Sequence, residues 1–274
     1  MEGRAIGAAI AVALLVAALG AWSALRWDGQ NVVDAAADLS DVASAAEGGT
    51  TSVPAADAPQ PPPPTTPTSV VVPDCVIGDE VSVGDPAEDY GTIVVDANRA
   101  LPGDFEPPDL VSAAEAGFET DDMIRQIIVE DLGALRVAAE ENGTPLGLVS
   151  AYRSYSYQQN LYDREVAEEG EVEAQKETAR PGHSEHQLGT AFDLLEAGSQ
   201  NLVPAFAETA TGQWLAEHAH EHGFVISYPD MPTTRTCYSF EPWHLRYVGH
   251  DVAAQIHDSG LAPREWMLSR PETP

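Results

Sequence analysis

The stretch from Ala5 to Leu25 constrains this chain most. It holds no charged residue and is dominated by Ala, Leu, Val and Ile. About 20 such residues span the hydrocarbon core of a bilayer. Arg4 precedes the stretch and an acidic segment begins at Asp28, so the expected orientation is N-terminus inside and the remainder outside. A cleaved secretory signal is the competing reading, with Gly20, Ala21 and Ser23 as small residues near a cleavage point. The stretch is long for the apolar part of a signal, which favours an uncleaved anchor. No cysteine follows it closely, which excludes a lipoprotein anchor. Residues 28–74 are rich in Ala, Asp, Ser, Thr and Pro, with a proline run from Pro61 to Pro64. Such a segment buries too little apolar surface to offset chain entropy, so it is expected to be an extended spacer. Residues 1–27 are therefore assigned to the anchor or signal and 28–74 to a linker. Folding is left to residues 75–274.

Charge narrows the partners. The chain has 13 Lys and Arg against 44 Asp and Glu, a formal net charge of −31. Nucleic acid is excluded, because phosphate binding needs clustered basic residues. Docking of the surface on anionic lipid is disfavoured for the same reason, leaving the N-terminal segment as the membrane contact. The acidic balance fits either a strongly solvated surface or adaptation to a saline surrounding. The two cysteines, Cys75 and Cys237, form an even pair in an exported chain and suggest one disulfide, with two separate buried thiols as the alternative. A bridge would also brace the segment just ahead of Glu241 and His244.

Within the folding region, Thr92 to Val95 reads as a short strand. Asp121 to Asn142 reads as an amphipathic helix through Met123, Ile127, Leu132, Leu135 and Val137. Leu146–Tyr152, Ala191–Leu195, Phe224–Tyr228 and His244–Val248 are strand candidates. Ser156–Glu169, Thr211–His222 and His250–Asp258 are helix candidates, the last ended by Gly260. There is no βαβ rhythm, glycine-rich phosphate loop or internal repeat. The expected fold class is α+β, a small antiparallel sheet with helices packed on one side.

Three clusters carry chemistry: Ser184 to Asp193, Phe240 to His244, and Ser150 to Ser154 followed by Gln158. A catalytic zinc site takes three protein ligands and leaves a position for water. His186, Asp193 and His244 meet that count, and Gly189 would let the backbone turn between the first two. Glu241 lies three residues before His244. On a flat strand those two would face opposite sides, but Pro242 argues for a turn or bulge that brings them together. Spacing alone leaves open that these are structural histidines. His218 and His222 stand at i, i+4 on a predicted helix without the H-E-x-x-H pattern, so an exposed polar face is favoured there. His183 is expected to support rather than ligate, and Trp243 to pack beside His244.

The pattern S-x-H-x-x-G-x-A-x-D, with E-P-W-H downstream and Y-R-S-x-x-x-Q upstream, resembles the VanY-type D-alanyl-D-alanine carboxypeptidases, zinc peptidases of the hedgehog/D,D-peptidase fold. The likeness extends over about residues 90 to 260, including Asn98 to Pro102 and Ala179 to Ser184. The resemblance implies Zn2+ held by His186, Asp193 and His244, with Glu241 as catalytic base. It also implies substrate contacts through Arg153, Gln158 and Ser184, and Arg153 is expected to aid catalysis by stabilising the oxyanion. Its implied substrate is the terminal D-alanine of a peptidoglycan stem peptide. An L,D-carboxypeptidase acting on tetrapeptide stems, or a non-catalytic cell-wall binding module on the same scaffold, are the alternatives. The expected location is the extracytoplasmic face of the membrane, or secretion if the N-terminal segment is cleaved, and the expected form is a monomer.

Overall fold

The computed structural model describes residues 73–270. The proposed anchor and nearly all of the proposed linker lie outside the described residues, and no helix among those described is long and apolar enough to cross a membrane.

Two short pairings come first. Strand β1 (Glu80–Val81) runs parallel to β2 (Arg99–Ala100), and β3 (Leu110–Ser112) runs antiparallel to β4 (Met123–Arg125). Helix α1 (Val129–Glu141), strand β5 (Leu146–Ser150) and helices α2 (Tyr155–Glu169) and α3 (Glu171–Glu177) follow. The chain continues through β6 (Ala191–Glu196), α4 (Ala210–His218), β7 (Phe224–Ile226), α5 (Thr233–Thr236), β8 (His244–Tyr247), α6 (His250–Ser259) and α7 (Pro263–Ser269). Strands β5, β6, β8 and β7 form one antiparallel sheet in that order. The α+β expectation holds.

Side chains alternate faces along a strand, and here the alternation separates core from site. Phe192 pairs with Leu245, and Phe224 with Tyr247, on one face. That face joins Leu132, Leu135, Leu215 and Ala219 of the covering helical segments in the main core. Asp193 pairs with His244, and Ala191 with Arg246, on the other face. Helices are not confined to one side: Val225, which pairs with Arg246, packs with Ala253, Ile256, Trp266 and Met267 of α6 and α7.

Two expected elements are corrected. The helix expected from Asp121 begins at Val129. Residues 123–125 instead pair with β3, and the Arg125 side chain is buried on Asp109 at 2.7 Å and on the Ala87 carbonyl. Met123 and Ile127, whose four-residue spacing imitates a helical face, are exposed. Thr92–Val95 is not a strand. Ile93 and Val95 pack on Leu101 and Leu188, while the carbonyls of Ile93 and Val94 accept from the side chains of Arg246 and Ser82 rather than from a neighbouring strand.

Cys75 and Cys237 are disulfide-bonded, with their Cα atoms 5.2 Å apart. Cys237 has φ of 74°, alone among the described non-glycine residues in taking positive φ.

Candidate metal centre

The site forms where one turn meets two strands. Asp193 on β6 stands directly opposite His244 on β8, so register alone places both side chains on one face. His186 reaches them from a 3-10 turn, Glu185–Leu188, that closes on Gly189 with φ of 69°. Gly189 hands the chain through Thr190 into β6, and its carbonyl accepts from the Arg125 amide. A side chain at position 189 would meet Arg125, Leu110 and Pro107, so the turn needs glycine for conformation and for space.

Three donor atoms converge there. Asp193 Oδ1 lies 3.5 Å from His186 Nε2 and 3.3 Å from His244 Nδ1, and the three ligand atoms fall within 4.8 Å of one another. His186 Nε2 and Asp193 Oδ1 are buried without a hydrogen-bond partner. Leaving such an atom unsatisfied costs about 1–3 kcal/mol, so the cluster is costly unless something occupies its centre. Donors about 2 Å from a tetrahedral ion stand roughly 3.3 Å apart, close to the two separations from Asp193 Oδ1. The residues present fit a metal.

The far nitrogen of each imidazole is already committed. His186 Nδ1 donates to the Ala151 carbonyl at 2.7 Å, and His244 Nε2 donates to Glu185 at 3.0 Å. Each bond directs the opposite nitrogen to the centre. Burial lowers the His186 pKa to about 4, so the ring is neutral and free to ligate. Burial would also lower His244, but its hydrogen bonds to Asp193 and Glu185 outweigh burial and raise it to about 10. A second proton and a metal ion thus compete for Nδ1. Burial opposes ionisation of Asp193, yet the two imidazoles hold its carboxyl well below the usual range.

Beside the donors opens a cleft lined by Arg153, Gln158, Ser184, Tyr228 and Glu241 around the two histidines. Pro242 and Trp243 make the turn expected between Glu241 and His244. The Glu241 amide donates to the Tyr228 carbonyl, and the Glu241 carboxylate stands 3.7 Å from His244 Nδ1. Burial pushes Glu241 up to about 7, against the pull of His244. Arg153 Nη2 lies 3.6 Å from Asp193 Oδ2, and Nη1 donates to Gln158 Oε1 at 3.2 Å. The Gln158 amide nitrogen donates to the Ala179 carbonyl, so both ends of that side chain are engaged within the protein. All seven expected site residues meet at this one place.

The other expectations are also resolved. His183 is buried and bonds the Asp96 carbonyl through Nδ1. Trp243 belongs to the main core. His218 faces Glu221 at 3.4 Å, and His222 joins no metal-holding group among the described residues. Sequence reasoning gave no role to Glu185, Arg246 or Ser227, although Glu185 adjoins a ligand and Arg246 follows His244 by two residues on the same strand face.

A three-donor cradle opening on a cleft with a buried carboxylate beside it is the kind of arrangement that metal-dependent hydrolases use. The VanY family model, described as D-alanyl-D-alanine carboxypeptidase, matches residues 121–250. The chain is 42% identical over 178 residues to YodJ of Bacillus subtilis strain 168, covering 63% of this chain and 65% of that one, just short of two thirds of the relative's length. The LdcB LD-carboxypeptidase structure superposes with a TM-score of 0.59 at 37% identity, over 65% of this chain and 85% of that one. A VanY D,D-pentapeptidase variant from a VanB-type vancomycin-resistance cassette, in complex with Zn(II), superposes with a TM-score of 0.56 at 30% identity, over 65% and 99%. The chain belongs to the VanY D-alanyl-D-alanine carboxypeptidase family.

Proposed function

We propose that this chain is a zinc-dependent carboxypeptidase that removes the terminal D-alanine from peptidoglycan stem peptides, with His186, Asp193 and His244 holding the ion. The observation that carries this reading is the convergence of three buried donors on a cleft that also contains Glu241 and Arg153. When bound, the ion supplies Lewis-acid polarisation of a water and of the scissile carbonyl. Glu241 accepts the proton of the attacking water and returns it to the departing amine, a task suited to a carboxyl raised toward neutrality by burial. Arg153 offers the cationic donor for the developing oxyanion or for the substrate's terminal carboxylate. Gln158 holds Arg153 in place through Oε1 and so acts on substrate through it. Ser184 lines the cleft and is assigned to substrate contact.

The catalytic domain is assigned to residues 75–274, held as a monomer at the extracytoplasmic face by the N-terminal segment, or secreted if that segment is cleaved. The disulfide fits an oxidising compartment. A second reading, L,D-carboxypeptidase action on tetrapeptide stems, is supported by the LdcB likeness. A pure cell-wall binding module has no use for Glu241. The test is incubation of the zinc-loaded chain with tripeptide, tetrapeptide and pentapeptide stems, read by mass spectrometry. Loss of one alanine from the pentapeptide is expected. Loss from the tetrapeptide alone would transfer the assignment to the L,D reaction, and no cleavage of any stem would overturn the enzyme reading.

A further inference from the structure

Glu185 immediately precedes the ligand His186, yet its carboxylate serves the other histidine. Oε2 accepts from His244 Nε2 at 3.0 Å and from Ser227 Oγ at 2.5 Å, and Oε1 accepts from Arg246 Nη1 at 2.7 Å. Arg246 in turn donates through Nη2 to the carbonyls of Tyr90 and Ile93, 2.7 Å each. Glu185 is 6% exposed and Arg246 1% exposed. We infer that Glu185 is a positioning residue for the metal centre: it fixes the tautomer and orientation of His244 so that Nδ1 faces the ion.

The chemistry of the groups leaves little choice. A carboxylate only accepts, so His244 Nε2 carries a proton, and it is Nδ1 whose lone pair is presented to an ion once the second proton has left. His244 and Arg246 are two residues apart on β8 and therefore share a face. One carboxylate spans them, an oxygen to each. Ser227, just beyond β7, holds the same oxygen that meets His244. Glu185 is also the sole carboxylate within salt-bridge distance of Arg246 among the described residues. Two roles are thus available to it, neutralising a buried guanidinium and aiming an imidazole, and they have different consequences.

This inference rests on the metal reading above, and the experiment keeps the two apart. Zinc affinity is measured by chelator competition on the full chain for wild type, His244→Ala, Glu185→Gln, Ser227→Ala and the double variant Glu185→Gln/Arg246→Met. Near-ultraviolet circular dichroism of each metal-free protein reports folding. Glu185→Gln is expected to weaken zinc binding about 10- to 100-fold, the range for loss of such an outer partner. Ser227→Ala, which removes only a support of Glu185, is expected to weaken it less than Glu185→Gln does. The double variant removes the guanidinium along with its counterion. If Glu185 aims His244, the double variant stays as weak as Glu185→Gln; recovery to wild-type affinity would show that it merely neutralises Arg246, and would overturn the inference. Wild-type affinity in Glu185→Gln would overturn it too. Should Glu185→Gln fail to fold, Glu185→Asp keeps the charge and withdraws the carboxylate by one methylene; the same weakening is expected, and unchanged affinity refutes the role. A wild-type chain that binds zinc no better than His244→Ala sinks the metal site itself and not this inference alone.

Discussion

Gly189→Ala probes the turn that delivers His186 and Asp193 to one point. Gly189 has φ of 69°, in the left-handed region, where a residue with a Cβ is disfavoured by about 1–2 kcal/mol. The new Cβ would stand 3.0 Å from Arg125 Cγ, 3.1 Å from Leu110 Cδ2 and 3.2 Å from Pro107 Cγ. Arg125 has little freedom to retreat, because its Nε is bound to Asp109 and its Nη1 to the Ala87 carbonyl. Crowding of this kind adds about 1–3 kcal/mol. Taking about 3 kcal/mol in all, and about 2–4 °C per kcal/mol for a domain of this size, the melting temperature of the metal-free chain should fall by about 6–12 °C. Scanning calorimetry of both proteins in chelator reads this directly. A variant that melts within about 2 °C of wild type would refute the strain and crowding reasoning.

Three further outcomes are expected. Arg153→Ala should lower kcat/KM by about 10²- to 10³-fold, as for loss of one oxyanion donor, while zinc content by atomic emission stays at the wild-type level; unchanged kcat/KM would remove Arg153 from the reaction. Cys75→Ser/Cys237→Ser opens a bridge with a sequence separation of 162, and chain entropy sets an upper loss of about 5 kcal/mol; an unshifted urea midpoint would contradict it. Arg235 on α5 holds the carboxyl of Glu265 on α7 below its usual range, with the Ala262 amide helping. A depressed folded pKa means this stability is present above the ordinary glutamate pKa and lost as pH falls through the depressed one. Glu265→Gln should therefore melt lower than wild type near neutral pH and converge with it in acid, and an offset that persists in acid would argue against the ion pair.

The site was more legible in the sequence than the elements around it. Spacing alone leaves structural histidines open; the motif that carries the family resemblance is what singles out His186, Asp193, His244 and Glu241, and the fold brings them together because Asp193 and His244 fall in register across β6 and β8. Gly189 and Pro242 announce the turns on which that depends. The helix expected from Asp121 failed for a long-range reason. Pairing of β4 with β3, and burial of Arg125 on Asp109, override a local spacing that suits a helix. Thr92–Val95 has strand-forming composition, but its carbonyls are claimed by the side chains of Arg246 and Ser82, partners far away or off the strand pattern. Glu185 looks like one more surface acid in a chain with 44 acidic residues. Only the alternation that sets Arg246 beside His244 signals that a buried anion is needed there.

The most direct measurement sets zinc content against turnover in Glu241→Ala. Removal of this carboxylate leaves His186, Asp193 and His244 in place, so bound zinc should match wild type while release of alanine from a pentapeptide stem is abolished or falls by about 10²-fold or more. Turnover at the wild-type rate with zinc retained would contradict the assignment of Glu241 as the base, and with it the hydrolytic mechanism built on this cleft.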